Sequence, residues 1–597
     1  MVIPDSRVKY SRQVRELGKL IEHLATTPEL LGRAILHLWQ LDSYPGLASK
    51  RAPWGTSRLL KTPAVISFSS WLSQQPFNEA AYWLATSYAH WVGDHVRNER
   101  SLFFTPPRLA DRVITNLVKQ GGSLTDQHWH DPACGGAAFL VPVAQRMCIA
   151  LQEEGYSAFD LLRQIEQKLT GNDLDPALLD LSTSFLEMAL YEQIQLSEYM
   201  PSFRLFQGDG LTSNTIELLR PHVIACNPPY RKLKSHEVVS YRSKHGEVIE
   251  GQPNVYGLFI HRTMQLAHIP GLIGLLTPTS FLSGTSFSKL RTKLLMDTDA
   301  LQIDMLSDRS SMFIGVEQET AITILRTKPT QAIVSAKTQV MVLTQKGDFQ
   351  TVGRYVLPNS GKPWSIPRAA KDADLLRCAE KATFRLSDYG YVARVGPLVA
   401  YRDTRHRSAS GGKTESTHVD VPLVWATDIA PDGKFEHGRE NRHSRTSSFV
   451  RFVSLSDPSV LTQAVVLLQR LTSSDQRARI VAAAVPAAWV RKHGGFVCEN
   501  HVIVLQPTGE NALPTTMMAA LLNTSTVNRV FRSISGASNV AVSELNELPL
   551  PDPRIFLHCD EKRSDFTELV TAAYEAAAFS VAEAASIRPG QRPAVTD

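Results

Sequence analysis

The chain has 597 residues, of which 43% are hydrophobic and 20% are charged, so it can fill the cores of roughly two or three domains. This composition excludes wholesale disorder, and a net charge of +5 is too small to identify a polyanionic partner by itself. The six cysteines form no CxxC pair, which excludes a zinc knuckle and a disulfide framework; we predict no metal site and expect a reducing, cytoplasmic location. No signal-peptide core and no apolar run of membrane-spanning length is present, so neither export nor membrane insertion is expected.

Residues 1–100 are predicted to be helical. Apolar side chains recur at three- and four-residue spacing in VRELGKLIEHLATTPELLGRAILHLW and again in NEAAYWLATSYAHWV. No pattern in this region indicates chemistry. We interpret it as a helical extension that packs on the next domain, with a contact to DNA or to a partner as the alternative.

Residues 101–330 alternate between strand and helix patterns. HVIACN, LIGLLTP and ETAITILRT are short apolar runs typical of buried strands, whereas ALLDLSTSFLEMALYEQI and VYGLFIHRTMQLA have helical periodicity. This alternation predicts an α/β domain built on a doubly wound, mostly parallel sheet.

Residues 331–597 are predicted to form a separate, mixed α+β domain with a helical tail. Strand-like segments such as YVARVGPLVAY, VPLVWATDI and FVCENHVIVLQP are separated by two polar, basic stretches. Arg405 and Arg407 lie in the first stretch, and Arg442 and Arg445 lie in the second. We predict that these arginines contact DNA phosphates; the default alternative is that both stretches are solvated surface loops.

The segment IACNPPY, at residues 224–230, is the strongest functional signal. A buried strand ends and is followed at once by Asn227, Pro228, Pro229 and Tyr230, at the sheet edge where parallel sheets bind ligands. The Asn227 side-chain oxygen and the Pro228 carbonyl are suited to accept hydrogen bonds from an exocyclic amino group, whose lone pair is delocalised into its ring. The prolines fix the backbone, and Tyr230 offers an aromatic face to a base rotated out of a duplex. Taken alone, the segment has a plain strand-ending turn as its alternative.

Three upstream segments also lie at predicted strand ends. DPACGGAAFL, which starts at Asp131, is typical of a tight glycine turn that lets the backbone approach a ligand closely. GNDLDP places Asp173 after the next strand, where a carboxylate can bind ribose hydroxyls, and QGDGL places Asp209 after a third strand. The glycine spacing of a dinucleotide-binding loop is not met, so an NAD site is not predicted. Each segment is weak alone, but the four in this order form a strong signal.

The ordered set FFTPPRLADRVI, DPACGGAAFL, GNDLDP, QGDGL and NPPY resembles the adenine-specific (N6) DNA methyltransferases of restriction-modification systems. The order is that of the gamma arrangement, in which cofactor motifs precede the catalytic motif and the target recognition domain comes last. The resemblance covers about residues 100–330 and extends weakly to the tail segment SGASNVAVSELNELPLPDP. It implies a methyltransferase-type fold, S-adenosylmethionine as cofactor, and a flipped-out adenine of double-stranded DNA as methyl acceptor. It also implies protection of host DNA beside a separately encoded restriction endonuclease that acts on the same site.

The resemblance assigns cofactor roles to the positions that match the family's motifs, which are Thr105, Asp131, Ala133, Gly135, Asp173 and Asp209. Thr105 would bind the methionine carboxylate end, Asp173 the ribose hydroxyls and Asp209 the adenine amino group. Asp131 and Gly135 would line the methionine and the ribose. All six assignments are implied by the resemblance and are expectations for the structure to place.

The resemblance likewise assigns Asn227, Pro228 and Tyr230 to the target adenine. Phe313 would pack on the other face of the flipped base, with ordinary core or loop packing as the alternative. Two positions depart from the family pattern. Ala137 stands where a second glycine is usual, and Gly210 stands where an aromatic or bulky residue often follows the aspartate, so one face of the cofactor adenine would have to come from elsewhere.

Other acceptors and other classes of protein stay open. Enzymes that methylate a glutamine amide share the NPPY logic but are usually shorter and lack a large C-terminal domain, and RNA remains an alternative acceptor. A fused restriction-methylation enzyme would need an acidic nuclease cluster with a nearby lysine, and residues 1–100 show no convincing one. A DNA-binding subunit without catalysis has no evident use for an intact NPPY motif.

Overall fold

The protein divides into two compact units, Met1–Phe281 with Ser286–Lys362 and Leu282–Thr285 with Pro363–Asp597. The structure is a computed structural model. It describes residues 4–47, 53–213, 217–306, 319–329, 337–344, 347–409, 418–439, 447–472, 478–535 and 539–577. Among the helices described, none combines the length and the apolar content that crossing a membrane requires.

The first unit begins with helices, as the spacing of apolar residues predicts. Thr27 caps the second helix by accepting a hydrogen bond from the Leu30 N–H, and Pro28 occupies the first turn, where its missing N–H costs nothing. The helices of this region share a buried apolar cluster with those that flank the sheet; Trp39 and Phe185, for example, lie 6.3 Å apart between ring centroids. Six described α-helices precede the first strand of the sheet: α1 Pro4–His23, α2 Pro28–Ser43, α3 Pro63–Ser73, α4 Phe77–Trp91, α5 Asp94–Arg100 and α6 Pro107–Lys119.

Nine described strands form the sheet of the first unit, in the order β3-β2-β1-β4-β5-β7-β6-β8-β9. The five strands from β3 to β5 are parallel, whereas β7 runs antiparallel between β5 and β6. The predicted α/β class with a mostly parallel sheet is confirmed. The strands are β1 Trp129–Asp131, β2 Leu169–Asp173, β3 Arg204–Gln207, β4 Val223–Cys226, β5 Leu272–Pro278, β6 Thr298–Leu306, β7 Thr320–Thr327, β8 Thr338–Leu343 and β9 Phe349–Tyr355.

Helices connect these strands, and the chain order of the strands reverses between β1 and β4. Ligands of such sheets bind outside the carboxyl ends of the strands at this switch point. The connecting helices described are α7 Leu140–Glu153, α8 Ala158–Lys168, α9 Pro176–Ala189, α10 Tyr191–Ser197, α11 Ser235–His245, α12 Val255–Leu266, α13 Ser280–Ser283 and α14 Ser288–Asp297.

The sheet continues past residue 330. Strand β8 pairs parallel to β6 and antiparallel to β9, so the first unit extends to Lys362 and the expected boundary after residue 330 falls inside it. Strand β9 is half exposed, as edge strands commonly are. Its sequence therefore lacks the apolar run that identified the inner strands.

The second unit is mixed α+β, as predicted. Its described strands form two four-stranded sheets, in the orders β10-β17-β14-β15 and β11-β13-β12-β16. The strands are β10 Tyr391–Val395, β11 Arg407–Ser408, β12 Val419–Val424, β13 Phe449–Phe452, β14 Val466–Gln469, β15 Ala482–Ala484, β16 Val497–Cys498 and β17 Val502–Pro507. The helices are α15 Ala373–Ala379, α16 Ala487–His493, α17 Thr515–Asn523, α18 Ser525–Ile534, α19 Val542–Asn546 and α20 Phe566–Ala577.

Candidate functional site

The loops that follow β1, β2, β3 and β4 surround one cavity of about 440 Å³ at the switch point of the sheet. All six positions that the resemblance assigned to the cofactor line this cavity, together with Asn227 and Pro229 of the catalytic motif. Segments separated by more than a hundred residues meet there because parallel neighbours end at the same edge of a sheet. The predicted cofactor positions therefore share one space with Asn227 and Pro229, whereas Pro228 and Tyr230 of the predicted motif do not line it.

The loop after β1 is held by its own acid. Asp131, only 1% exposed, accepts a hydrogen bond from the Ala133 N–H at 3.0 Å. The pKa of Asp131 is raised to about 8, mainly by burial and also by the nearby Asp173 carboxylate, against the lowering effect of the Ala133 hydrogen bond. Gly135 and Ala137 both have left-handed backbone, with φ of 51° and 57°. Ala137 thus keeps the conformation that favours glycine although it carries a methyl group.

Asp173 connects the first two loops. Its Oδ2 accepts from the Gly135 N–H and its Oδ1 accepts from the Asp175 N–H, both at 2.9 Å. Burial raises the pKa of Asp173, and the backbone hydrogen bonds oppose that rise. A carboxylate offers about four lone-pair sites, so Asp173 keeps acceptor capacity for a ligand in the cavity.

The neighbouring acid, Asp175, has different partners. It caps α9 through the Ala177 N–H at 2.9 Å, and its other oxygen accepts from the Tyr88 hydroxyl and the Arg100 guanidinium, each at 3.1 Å. Tyr88 belongs to α4 and Arg100 to α5. Residues 1–100, in which the sequence showed no chemistry, therefore contact a loop of the cavity.

Asp209 follows β3 and accepts from the Leu211 N–H at 3.0 Å and from the Tyr241 hydroxyl at 2.9 Å. The next residue, Gly210, explains one departure from the family pattern. A Cβ there would lie 2.2 Å from the Pro132 carbonyl oxygen and 3.1 Å from the Phe259 ring. No side chain fits at this position without moving backbone, and Phe259 lines the cavity beside it.

The predicted catalytic motif follows β4, and hydrogen bonds orient the Asn227 side-chain amide. Asn227 Nδ2 donates to Thr105 Oγ1 at 3.0 Å and to the Phe103 carbonyl at 3.3 Å. Its Oδ1 accepts from the Tyr230 hydroxyl at 2.5 Å, and that hydroxyl also lies 2.9 Å from the Leu276 carbonyl. Thr105, which the resemblance assigned to the cofactor, is therefore also a partner of the Asn227 amide.

Tyr230 does not line the cavity itself, but its hydroxyl contacts Asn227, which does. The sequence suggested only a stacking face, yet the hydroxyl bonds to Asn227 Oδ1 and the ring meets Tyr256 edge-on at 6.3 Å. Burial raises the pKa of Tyr230 well above its usual range, so the hydroxyl stays protonated and able to donate. Its stacking role remains a prediction.

The lining residues to which sequence reasoning gave no role include Arg231, Tyr241 and Phe259. Arg231 directly follows the NPPY motif, and this position is the one sequence signal that could have indicated that it lies at the cavity. Tyr241 and Phe259 lie on α11 and α12, at spacings that the motif pattern does not specify.

The predicted DNA contacts are placed only in part. Arg405 Nε and Nη2 donate to the Asp403 carboxylate, and the guanidinium carbon lies 4.1 Å from the centre of the Phe452 ring. Arg407 belongs to β11 and pairs with Val450 of β13. Phe313, Arg442 and Arg445 lie outside the residues that the structure describes.

Comparison with known proteins identifies the same region. Residues 222–313 match the model of the Eco57I restriction-modification methylase family. The chain is 22% identical to the type II methyltransferase M.BsuBI of Bacillus subtilis over 345 residues, and this match covers 55% of the chain. The match spans 65% of that relative, just under two thirds of its length.

Two solved structures extend the comparison. The type IIL restriction-modification enzyme MmeI, in complex with DNA, matches with a TM-score of 0.53 at 12% identity over 96% of this chain and 86% of that chain. The type IIG restriction endonuclease BpuSI matches with a TM-score of 0.43 at 14% identity over 92% of this chain and 72% of that chain. The MmeI match supports the fold alone. With the family match at residues 222–313, the predicted resemblance to methyltransferases of restriction-modification systems is confirmed.

Proposed function

We propose that this protein is an S-adenosylmethionine-dependent DNA methyltransferase that methylates the N6 amino group of adenine. The observation that carries the proposal is the shared cavity, in which Asn227 and Pro229 face the same space as Asp131, Asp173 and Asp209. Donor and acceptor sites of a methyl transfer must lie within bonding reach of each other.

The residues of the cavity fit the cofactor. Carboxylates suit its cationic groups and its ribose hydroxyls, and Asp173 and Asp209 keep lone pairs beyond those that hold backbone. Phe259 and Leu178 supply apolar walls, and about 440 Å³ is an ordinary size for a small-molecule site. The cofactor is S-adenosylmethionine, and it supplies the methyl group.

The catalytic amide then acts on the acceptor. Asn227 Oδ1 has two lone pairs, so it can keep the Tyr230 bond and also accept a hydrogen bond from the adenine amino group. The Pro228 carbonyl accepts the second amino hydrogen. Holding both hydrogens draws the nitrogen lone pair out of the ring and favours a pyramidal nitrogen, while Thr105 and the Phe103 carbonyl prevent the amide from flipping.

Duplex DNA is the proposed partner. An amino group inside a duplex is hidden by pairing and stacking, so the adenine must leave the helix to reach this cavity. Because MmeI is solved in complex with DNA, we extend that partner to this chain and assign target recognition to its second unit. A separately encoded endonuclease that recognises the same site completes the proposed restriction-modification system.

The test uses the purified full chain with S-adenosylmethionine and unmethylated genomic DNA. Mass spectrometry of the digested nucleosides should show N6-methyladenine, and single-molecule sequencing should place it at one recurring site. N4-methylcytosine as the product, or transfer to RNA or to a protein amide but not to DNA, would overturn the assignment. Magnesium-dependent DNA cleavage would identify a fused restriction enzyme instead.

A further inference from the structure

Helix α11 faces the loop that carries Asp209. The Tyr241 hydroxyl donates to Asp209 Oδ2 at 2.9 Å, and His245 Nε2 lies 3.2 Å from the Leu211 carbonyl oxygen. Tyr241 and His245 are four residues apart, so they occupy one face of the helix. The same face therefore contacts both the acid of the loop and its backbone.

The other end of α11 is fixed to the segment that follows the catalytic motif. Arg231 donates two hydrogen bonds to the Glu237 carboxylate, at 2.7 and 2.8 Å, and the Lys234 N–H donates to the same group at 2.8 Å. Such a bidentate pair fixes orientation as well as distance. The Arg231 contacts lower the pKa of Glu237 to about 2, so the pair persists through the neutral range.

Asp209 has few other constraints. Its Oδ1 accepts from the Leu211 N–H at 3.0 Å, and Oδ2 lies 3.3 Å from the Thr212 hydroxyl. Tyr241 makes the shortest contact to Oδ2 and itself lines the cavity. Burial, together with the Asp209 charge, raises the pKa of the Tyr241 phenol, so it remains a donor to this carboxylate.

We propose that Tyr241 is a positioning residue that fixes the Asp209 carboxylate for selective binding of the amino-substituted purine of the cofactor. The inference rests on the proposed function, because it takes Asp209 as the acceptor of the adenine amino group. Without the Tyr241 hydroxyl, the carboxylate rotates more freely about its Cβ–Cγ bond and its remaining lone pairs lose their direction. Helix α11 carries this constraint to Arg231, so the adenine end of the cavity and the catalytic loop are held by one helix.

The experiment is a double-mutant cycle on cofactor binding by the full chain. S-adenosylmethionine affinity is measured by calorimetry for the wild type, Tyr241→Phe, Asp209→Asn and the double variant. Tyr241→Phe should weaken binding about three- to tenfold, the range of one hydrogen bond acting through another group. The double variant should bind like Asp209→Asn alone, because Tyr241 acts only through that carboxylate.

A second readout separates positioning from simple stability. Wild-type protein should prefer S-adenosylhomocysteine over S-inosylhomocysteine, whose purine has an oxygen in place of the amino group, and Tyr241→Phe should reduce that preference. The matched control is Tyr199→Phe, which removes a tyrosine hydroxyl that donates to the Glu166 carboxylate at 2.6 Å, outside the cavity. It should change neither affinity nor preference.

The outcomes distinguish the inference from the proposed function. If the wild type does not bind S-adenosylmethionine, the proposed function fails and the inference falls with it. If the wild type binds but Tyr241→Phe matches it in affinity and purine preference, the inference alone is overturned. Losses that add in full in the double variant would also overturn it.

Discussion

Ionisable side chains are held in different ways at two places in this protein, the strand-end acids of the first unit and Arg405 of the second. In the first, Asp131, Asp173 and Asp209 accept hydrogen bonds from backbone N–H groups at strand ends and keep lone pairs that face a cavity. In the second, Arg405 donates to the Asp403 carboxylate and stacks on Phe452. A charge held by backbone still has capacity for a ligand, whereas a charge neutralised by an opposite charge has little left for a phosphate.

The catalytic motif offers the largest test of the first half of this comparison. Asn227→Ala removes the acceptor aimed at the amino nitrogen, so turnover should fall about 10³-fold, as when one preorganised transition-state contact is lost. Cofactor affinity should stay nearly intact, because the lost acceptor is aimed at the amino group of the target adenine and not at the cofactor. Transfer of tritiated methyl to DNA and calorimetry give the two quantities.

Asn546→Ala is the matched control for that variant, because Asn546 is exposed on α19. It should methylate DNA at the wild-type rate. Near-normal methylation by Asn227→Ala would remove the residue from the catalytic machinery and leave IACNPPY as a strand-ending turn.

Buried acids should also make stability depend on pH. The folded pKa of Asp131 is about 8, above its ordinary value, so the folded state binds more protons than the unfolded state between those limits. Stability should therefore fall as pH rises, by about 2–3 kcal/mol from pH 6 to pH 8. Asp131→Asn should remove this part of the slope in thermal unfolding measured by calorimetry.

The exposed Asp42 gives the control, since Asp42→Asn should leave the wild-type slope in place. An identical pH slope in wild type and Asp131→Asn would mean that Asp131 is already ionised in the folded protein. The first unit would then hold an ionised carboxylate in its interior, with the Ala133 N–H as one of its hydrogen-bond donors.

The next test concerns Asp173, the residue proposed to bind the ribose hydroxyls of the cofactor. Asp173→Ala should weaken S-adenosylmethionine binding by about 1–3 kcal/mol, the cost of a lost hydrogen bond to a charged group. Because Asp173 also accepts from the Gly135 and Asp175 N–H groups, Asp173→Asn should lose less thermal stability than Asp173→Ala. Asp180→Ala, on the exposed side of α9, is the control. Unchanged affinity would move the ribose role to Asp175, although Asp175 already binds Tyr88 and Arg100.

The sequence predicted a site residue when its position followed from a nearby strand end, and failed when its contacts are with residues distant in sequence. The strand ends followed from local patterns, so Asp131, Asp173 and Asp209 could be placed at one sheet edge before their contacts were known. Tyr241 and Phe259 could not be placed there from the sequence. Their contacts depend on how α11 and α12 pack, and the spacing of residues along the chain does not specify that packing.

Two further residues show the same limit. Gly210 departs from the family pattern because a side chain there would collide with the Pro132 carbonyl, and only the fold places that carbonyl beside it. In the second unit, Asp403 stands two residues before Arg405, but only the fold brings Phe452 beneath the guanidinium. Motifs defined by backbone were predictable, and side-chain partners distant in sequence were not.

Arg405 and Arg407 test whether an arginine that is already paired with an acid can still bind a DNA phosphate. If Arg407 contacts a DNA phosphate, Arg407→Ala should make the salt dependence of DNA binding shallower by about one unit of slope. Arg405→Ala should leave the slope unchanged, because Asp403 already neutralises Arg405. Binding is measured by fluorescence anisotropy across a salt series.

Arg554 is the control for Arg405, since Arg554 pairs in the same way with an aspartate two residues earlier, Asp552. Arg554→Ala should match the wild type. A shallower slope for Arg405→Ala would show that DNA displaces Asp403 from Arg405. An unchanged slope for Arg407→Ala would favour the alternative that this stretch is a solvated surface loop.

The smallest expected effect concerns the cofactor loop itself. Ala137 is fully buried with φ of 57°, a conformation that costs a residue with a Cβ about 1–2 kcal/mol. Ala137→Gly removes that strain but also removes a buried methyl group worth about 0.8 kcal/mol, so the net change in unfolding free energy should be near zero. Ala144, equally buried but inside α7, is the matched control. Ala144→Gly loses a methyl group and also about 1 kcal/mol of helix propensity, so it should be clearly destabilising. Equal destabilisation by the two variants in chemical denaturation would mean that the loop stores no strain at Ala137.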